Sequence, residues 1–273
     1  MPNNLLIRFA RYCHERFPIF SLLLLSGLSL GVLQKLSSTY TQVIILNLGN
    51  YLYCLCLIIY LYFTIRVLDE IRDYKSDAIL HPDRPVPRGL ISVKELIAVN
   101  LVWLGLLSIF NFTFIGILNL TCTVIIFVLL LSIITYLANK VRLFWVHNLI
   151  LSVGNIALLG AVYYLLQLDF SQAFVWKHLF FSFAGSYLIE VIRKIDKVDV
   201  DGYRKNTDKI TLKILLLAPV VALVAVTPFG YFSSILYILV IYYFISLIKN
   251  RYKLVRILGM NIYILSMLLI IFV

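Results

Sequence analysis

Within residues 66–89, RVLDEIRDYKSDAILHPDRPVPRG, three aspartates recur four apart: Asp69, Asp73 and Asp77. At 3.6 residues per turn that spacing points three carboxylates from one helix face, with Glu70 beside them. Carboxylates stacked a turn apart repel one another unless a cation sits between them. A hard dication with oxygen ligands, Mg²⁺ above all, suits such a set. The plain alternative is a solvated helix end with Arg66, Arg72 and Lys75 as partners three or four residues away. The stretch runs on into Asp83-Arg84-Pro85-Val86-Pro87-Arg88-Gly89, where two prolines stiffen the loop and Gly89 permits a sharp return. Such a loop can hold Arg84 and Arg88 over the carboxylates. With Arg72 they are the anion-binding candidates here, because the guanidinium fork matches phosphate oxygens.

Two further segments carry reactive side chains. Tyr136 and Lys140 lie four apart, which sets a hydroxyl one helical turn from a cation; an interfacial aromatic with a snorkelling lysine is the bland equivalent. Glu190 and Lys194 also lie four apart, with Arg193 beside them and Asp196, Asp199 and Asp201 following before Gly202. The order of these acids and the lack of a closing Glu exclude a calcium loop of the EF-hand type. Acids on two helices and cations on a third fit one task together. Asp69, Asp73, Asp77 and Glu190, with Asp196 or Asp199, would hold Mg²⁺. The metal with Lys140, Arg193 and Lys194 would hold a diphosphate and neutralise charge as its carbon–oxygen bond breaks.

The elements that must position these groups are apolar. Hydrophobic residues make up 62% of the 273-residue chain against 14% charged, and mean hydropathy is +0.97, which excludes a soluble domain. Apolar runs near 17–36, 43–65, 92–111, 114–138, 143–166, 173–192, 210–228, 231–248 and 254–273 predict nine transmembrane helices in a single all-α domain over 1–273. The basic N-terminus leads into a first run long enough to span and without a small-residue cleavage site, so it is read as a retained helix. With nine spans, 22 of the 24 Lys and Arg fall on one side, leaving Lys35 and Lys177 opposite. The positive-inside bias makes that side cytoplasmic, with the N-terminus cytoplasmic and the C-terminus outside. Every acid except Asp169 falls there too. A polar site at the cytoplasmic mouth of the bundle accounts for that crowding. Net charge +11 is therefore topological, and no nucleic-acid partner is expected. The four cysteines have no metal-ligand spacing and read as small buried side chains. Tyr60, Tyr62, Phe63, Tyr136 and Tyr187 lie nearest the polar end, where aromatic faces can stabilise a carbocation.

The first motif, Asp69-Glu70-x-x-Asp73-x-x-x-Asp77, the loop Arg84-Pro85-Val86-Pro87-Arg88-Gly89 and the Tyr136-x-x-x-Lys140 segment, in this order, resemble the UbiA superfamily of intramembrane prenyltransferases. Asp69 stands where that family usually has Asn, and Glu70 where it has Asp. Its second acidic motif, D-x-x-x-D, is here Glu190-x-x-x-Lys194, which loses one metal ligand and gains a direct phosphate contact. The resemblance implies a nine-helix bundle in a cell membrane, read as a bacterial inner membrane. It also implies Mg²⁺-dependent transfer of a prenyl group from a prenyl diphosphate to a lipophilic acceptor. Asp73, Asp77, Tyr136 and Lys140 would be catalytic, and Arg72, Arg84, Arg88, Lys140, Arg193 and Lys194 would bind substrate. A terpene cyclase on the same scaffold, acting without acceptor, is the second enzyme reading. A transporter or inactive relative is the third.

Overall fold

The structure is a computed structural model that describes residues 4–39, 48–111, 117–141, 144–165, 170–194, 209–227, 233–249 and 251–272. Among the described residues it contains ten α-helices and no strand. They are α1 (Leu5–Arg16), α2 (Ile19–Thr39), α3 (Leu48–Leu80), α4 (Val93–Asn111), α5 (Ile117–Lys140), α6 (Phe144–Leu165), α7 (Ala173–Lys194), α8 (Lys209–Val226), α9 (Ser233–Ile248) and α10 (Tyr252–Phe272). Helices α2 to α10 each overlap one of the nine apolar runs.

Two elements depart from the sequence expectation. Helix α1 is separate from the first apolar run. Asn4 caps it, its side chain accepting from the Leu6 N–H at 2.9 Å, and Phe17 closes it before Pro18. Its inward residues Phe9, Tyr12 and Arg16 recur at helical spacing, a stripe too short to register as an apolar run. Helix α3 continues through the polar motif to Leu80 rather than stopping near residue 65. Pairs three and four apart support that extension: Arg66 with Asp69 and Glu70, and Arg72 with Asp69.

Among the described residues, four helices are long and apolar enough to cross a membrane, over Ile19–Ser38, Leu48–Leu80, Trp145–Tyr164 and Tyr252–Phe272. Shorter apolar helices cover Ile126–Ala138, Leu212–Val226 and Ser234–Ile248. At 1.5 Å per residue, the 33 residues of α3 measure about 50 Å, against about 30 Å of bilayer hydrocarbon. Its polar C-terminal half must therefore stand clear of the acyl chains.

The chain divides into two compact units, one of Met1–Gly27 and Leu46–Val128, the other of Leu28–Ile45 and Leu129–Val273. In the first, Tyr12 and Phe17 from the N-terminus pack with Ile59, Phe63 and Val67 of α3, with Val86 and Ile91 of the loop, and with Leu96 of α4. Phe63 is enclosed by Phe9, Phe17 and Trp103. It and Tyr60, stacked edge-on to Trp103, serve as packing in this unit. Inside it the Asn100 amide donates to the Thr64 hydroxyl at 3.2 Å, joining α4 to α3.

The second unit packs α6 on α7, α7 on α8, and α10 on α9, α7 and α8. A Cβ at Gly185 would fall inside the Tyr263 ring, so only glycine lets α7 approach α10 there. His178, 1% exposed, contacts the Tyr163 hydroxyl through Nδ1 and the Ser29 hydroxyl at 3.2 Å through Nε2. That ties parts of α2, α6 and α7 through a polar cluster that no sequence spacing displays. Cys54 is buried as expected, while Cys56 faces outward and Cys13 is half-buried; all three are free.

Candidate functional site

The candidate site grows out of the polar end of α3 and the loop behind it. Its position is set by the loop, which is folded on itself. Backbone bonds run from the His81 N–H to the Asp77 carbonyl at 2.9 Å, from Arg88 to Arg84 at 3.0 Å and from Leu90 to Pro85 at 2.9 Å. Gly89 takes φ +77°, the left-handed conformation that lets the chain turn back toward α4. Val86, Leu90 and Ile91 are buried, so the loop is anchored in the core. Helix α4 then opens with a capping box. The Ser92 N–H donates to the Glu95 carboxylate at 2.8 Å, and the Glu95 N–H donates to the Ser92 hydroxyl at 3.2 Å.

Every acid of the first motif meets an arginine. The Arg72 guanidinium lies between Asp69 and Asp73, 2.8 Å from an oxygen of each. It donates to Asp73 through two nitrogens, at 2.8 and 3.0 Å. Asp77, 6% exposed, receives Arg84 at 2.5 Å. Glu70, 3% exposed, receives Arg66 at 2.5 Å and Arg16 of α1 at 3.3 Å. Arg84 thus closes over the motif as the loop sequence predicts.

One expectation is refined and one corrected. The three aspartates fan across one side of α3 and meet different surroundings. Each step of four turns the helix by about 40°, so Asp77 lies about 80° round from Asp69 and about 20° from the direction of Glu70. That is why Asp77 and Glu70 are buried while Asp69 and Asp73 remain half-exposed. Arg88 does not stand over the carboxylates. It pairs with Glu15 of α1 at 2.6 Å and donates to the Asp83 carbonyl at 3.2 Å.

Sequence reasoning missed the part played by α1. Arg16 on Glu70, Glu15 on Arg88, and Arg8 on Glu95 at 2.6 Å fasten this helix to α3, the loop and α4. The partners are 54, 73 and 87 residues apart, so no local spacing displays them. Tyr12 is fully buried next to Glu70 and Arg66, and burial first, then the Glu70 charge, push its phenol above the ordinary tyrosine range. Burial likewise pushes the Cys13 thiol up to about 11.

The other predicted residues belong to the second unit. Tyr136 is exposed on α5 and Glu190 is half-buried on α7. Lys140 ends α5, and Arg193 and Lys194 end α7; their side chains lie outside the described residues, as do Asp196 and Asp199 altogether.

Among the described residues no three His, Cys, Asp or Glu side chains converge tightly enough to form a metal cage. The donor chemistry fits a lighter arrangement. Mg²⁺ is commonly bound by one or two carboxylates together with substrate phosphates and water. Asp69 and Asp73 lie close enough for one guanidinium to bridge them, and Arg72 fills the place between them that a dication would take.

No family model matches the chain, and no curated protein matches it. Among solved structures it resembles that of a digeranylgeranylglyceryl phosphate synthase in membranes, at 19% sequence identity and a TM-score of 0.54. The likeness covers 95% of this chain and all of that one. At that identity the likeness speaks to the fold.

Proposed function

We propose that this protein is an intramembrane prenyltransferase that ionises a prenyl diphosphate at the polar end of α3 and passes the prenyl group to a lipophilic acceptor. The observation that carries the reading is the row of four acids, each held by an arginine, at the end of a helix too long for the bilayer. The likeness to a membrane synthase supports it at the level of fold. Nine spans, a cytoplasmic N-terminus and a site on the cytoplasmic side belong to the same proposal.

Asp69 and Asp73 would hold Mg²⁺, and Asp77 would keep Arg84 aimed at the diphosphate. When bound, the metal supplies positive charge to the leaving oxygens. Arg72 and Arg84 can turn from carboxylate to phosphate without leaving the site, since a guanidinium offers several donors. The donor carbon–oxygen bond breaks with its electron pair going to the diphosphate. The acceptor then bonds to that carbon and releases its proton. Charged donors already arranged around the departing anion need little reorganisation as its charge develops. Tyr136, Lys140, Glu190, Arg193, Lys194, Asp196 and Asp199 keep the roles that their sequence motifs imply.

The test is incubation of the purified protein in detergent with C10, C15 and C20 prenyl diphosphates, Mg²⁺ and a lipid extract as acceptor source, followed by product analysis. Prenylated lipid with release of diphosphate is expected. Hydrocarbon or alcohol formed equally without acceptor would favour cyclisation, and intact donor under every condition would sink the proposal.

A further inference from the structure

In the first unit six arginines, Arg8, Arg16, Arg66, Arg72, Arg84 and Arg88, each meet a carboxylate. The C-terminal end of the second unit is built differently. After Asp208 the sequence contains no Asp or Glu through Val273, yet six Lys or Arg remain. Four of these six fall at the turn between α9 and α10 and in the first residues of α10. The Arg251 N–H donates to the Ser246 carbonyl at 2.8 Å, and the Arg251 carbonyl accepts from the N–H groups of Leu254 and Val255 at 3.0 Å. Lys213 of α8 adds its charge by donating to the Ile248 carbonyl at 3.3 Å.

An open hollow of about 510 Å³ lies at this turn, lined by Arg251, Tyr252, Lys253, Leu254 and Ile257. Its rim is cationic and its wall apolar. Lys249, Arg251 and Lys253 are exposed and make no ion pair among the described residues. Immediately along α9, Ile241, Tyr242, Phe244, Ile245 and Ile248 are exposed at spacings that share one helix side. Ile257 of α10 is exposed as well. Positive charge above an outward apolar strip complements an anionic head on an acyl chain.

We propose that the α9–α10 turn is a binding site for an anionic phospholipid, with Arg251 and Lys253 on its phosphate and an acyl chain along Ile257 and the outer side of α9. A free phosphate would use the cations and leave the apolar wall without a purpose. Basic residues at the ends of membrane helices recognise anionic headgroups through this kind of charge complementarity. The site is independent of the prenyl-transfer reading, since it uses none of the same residues.

Native mass spectrometry of the full chain in nonionic detergent tests it, with phosphatidylglycerol and phosphatidylcholine of identical chains as probes. Retention of phosphatidylglycerol over phosphatidylcholine is expected. The double variant Arg251→Gln/Lys253→Gln should lower phosphatidylglycerol affinity about twenty-five-fold, about five-fold for each charge removed. Arg251→Lys/Lys253→Arg should retain it, which guards against misfolding as the cause. Equal retention of the two lipids would overturn the proposal. So would full retention by the double variant, or an equal loss in the off-site control Arg11→Gln/Lys94→Gln. Displacement of the lipid by millimolar inorganic phosphate would assign the site to free phosphate and overturn it too.

Discussion

Glu70 gives the sharpest test of how the first motif is built. Its carboxylate is 3% exposed and accepts from Arg66 at 2.5 Å and from Arg16 at 3.3 Å. Glu70→Gln keeps the shape and removes the charge, leaving two guanidiniums without their shared counter-charge. Breaking a buried pair costs about 3–5 kcal/mol. Both arginine side chains are about one-fifth exposed and recover some hydration, so a loss of about 2–3 kcal/mol is expected here. For a chain of this size that is roughly 4–10 °C in the unfolding midpoint. Arg16→Gln should cost less, about 0.5–1 kcal/mol, because its bond is longer and Arg66 still satisfies Glu70. In the double variant the losses should be less than additive. Glu70→Asp shortens the arm by one methylene, keeps Arg66 within reach and gives up Arg16, so it should fall between. The assay is thermal unfolding in detergent at one fixed lipid content, with Mg²⁺ affinity measured alongside. A Glu70→Gln protein that is as stable as the parent but binds Mg²⁺ more weakly would refute the reasoning, for Glu70 would then be a ligand and not a fastening.

Other consequences can be checked separately. Arg72→Gln removes the cation between Asp69 and Asp73, so Mg²⁺ affinity measured by calorimetry without diphosphate should rise several-fold; an unchanged affinity would count against those two aspartates as the metal platform. Arg84→Gln leaves Asp77 buried without its partner. It should lower stability by about 1–3 kcal/mol and raise the KM for prenyl diphosphate, and a variant with unaltered KM removes Arg84 from substrate binding. Gly185→Ala should cost about 1–3 kcal/mol through the clash with Tyr263, and Tyr263→Leu in the same chain should relieve part of it. With Cys54, Cys56 and Cys122 changed to Ser, alkylation of Cys13 should accelerate about ten-fold per pH unit from 8 toward 11. A plateau near pH 9 would show that its thiol is not raised.

What the sequence displays is what repeats over short distances. The nine apolar runs, the four-residue spacing of the aspartates and the proline-stiffened loop were legible because each is a local pattern, and the loop delivers Arg84 to Asp77 seven residues away. Helix α1 escaped because 12 residues with polar partners look like a charged flank. Its purpose appears only through ion pairs with Glu70, Arg88 and Glu95, far along the chain. Arg88 was misplaced for the same reason. Beside Arg84 in the motif it reads as a second phosphate ligand, yet Glu15, distant in sequence, takes it.

Spacing by four also says less than it seems to. A period of 3.6 turns a row of three aspartates into a shallow spiral, and its two ends meet different surroundings. Asp77 and Glu70 turn into the protein, where an uncompensated carboxylate would be costly, and each is matched by arginine. Asp69 and Asp73 stay toward solvent and share one guanidinium. The outer pair can therefore exchange its cation at little cost while the inner pair cannot. Four acids and the four arginines on them balance in charge, so little net field draws in a bare dication. On the proposed reading, a metal arriving with a diphosphate would meet both kinds of partner at once, carboxylates for the cation and guanidiniums for the phosphates. On the prenyl-transfer proposal, Asp69, Asp73 and Arg72 are the groups that would rearrange, and Glu70, Arg16 and Arg66 those that would stay.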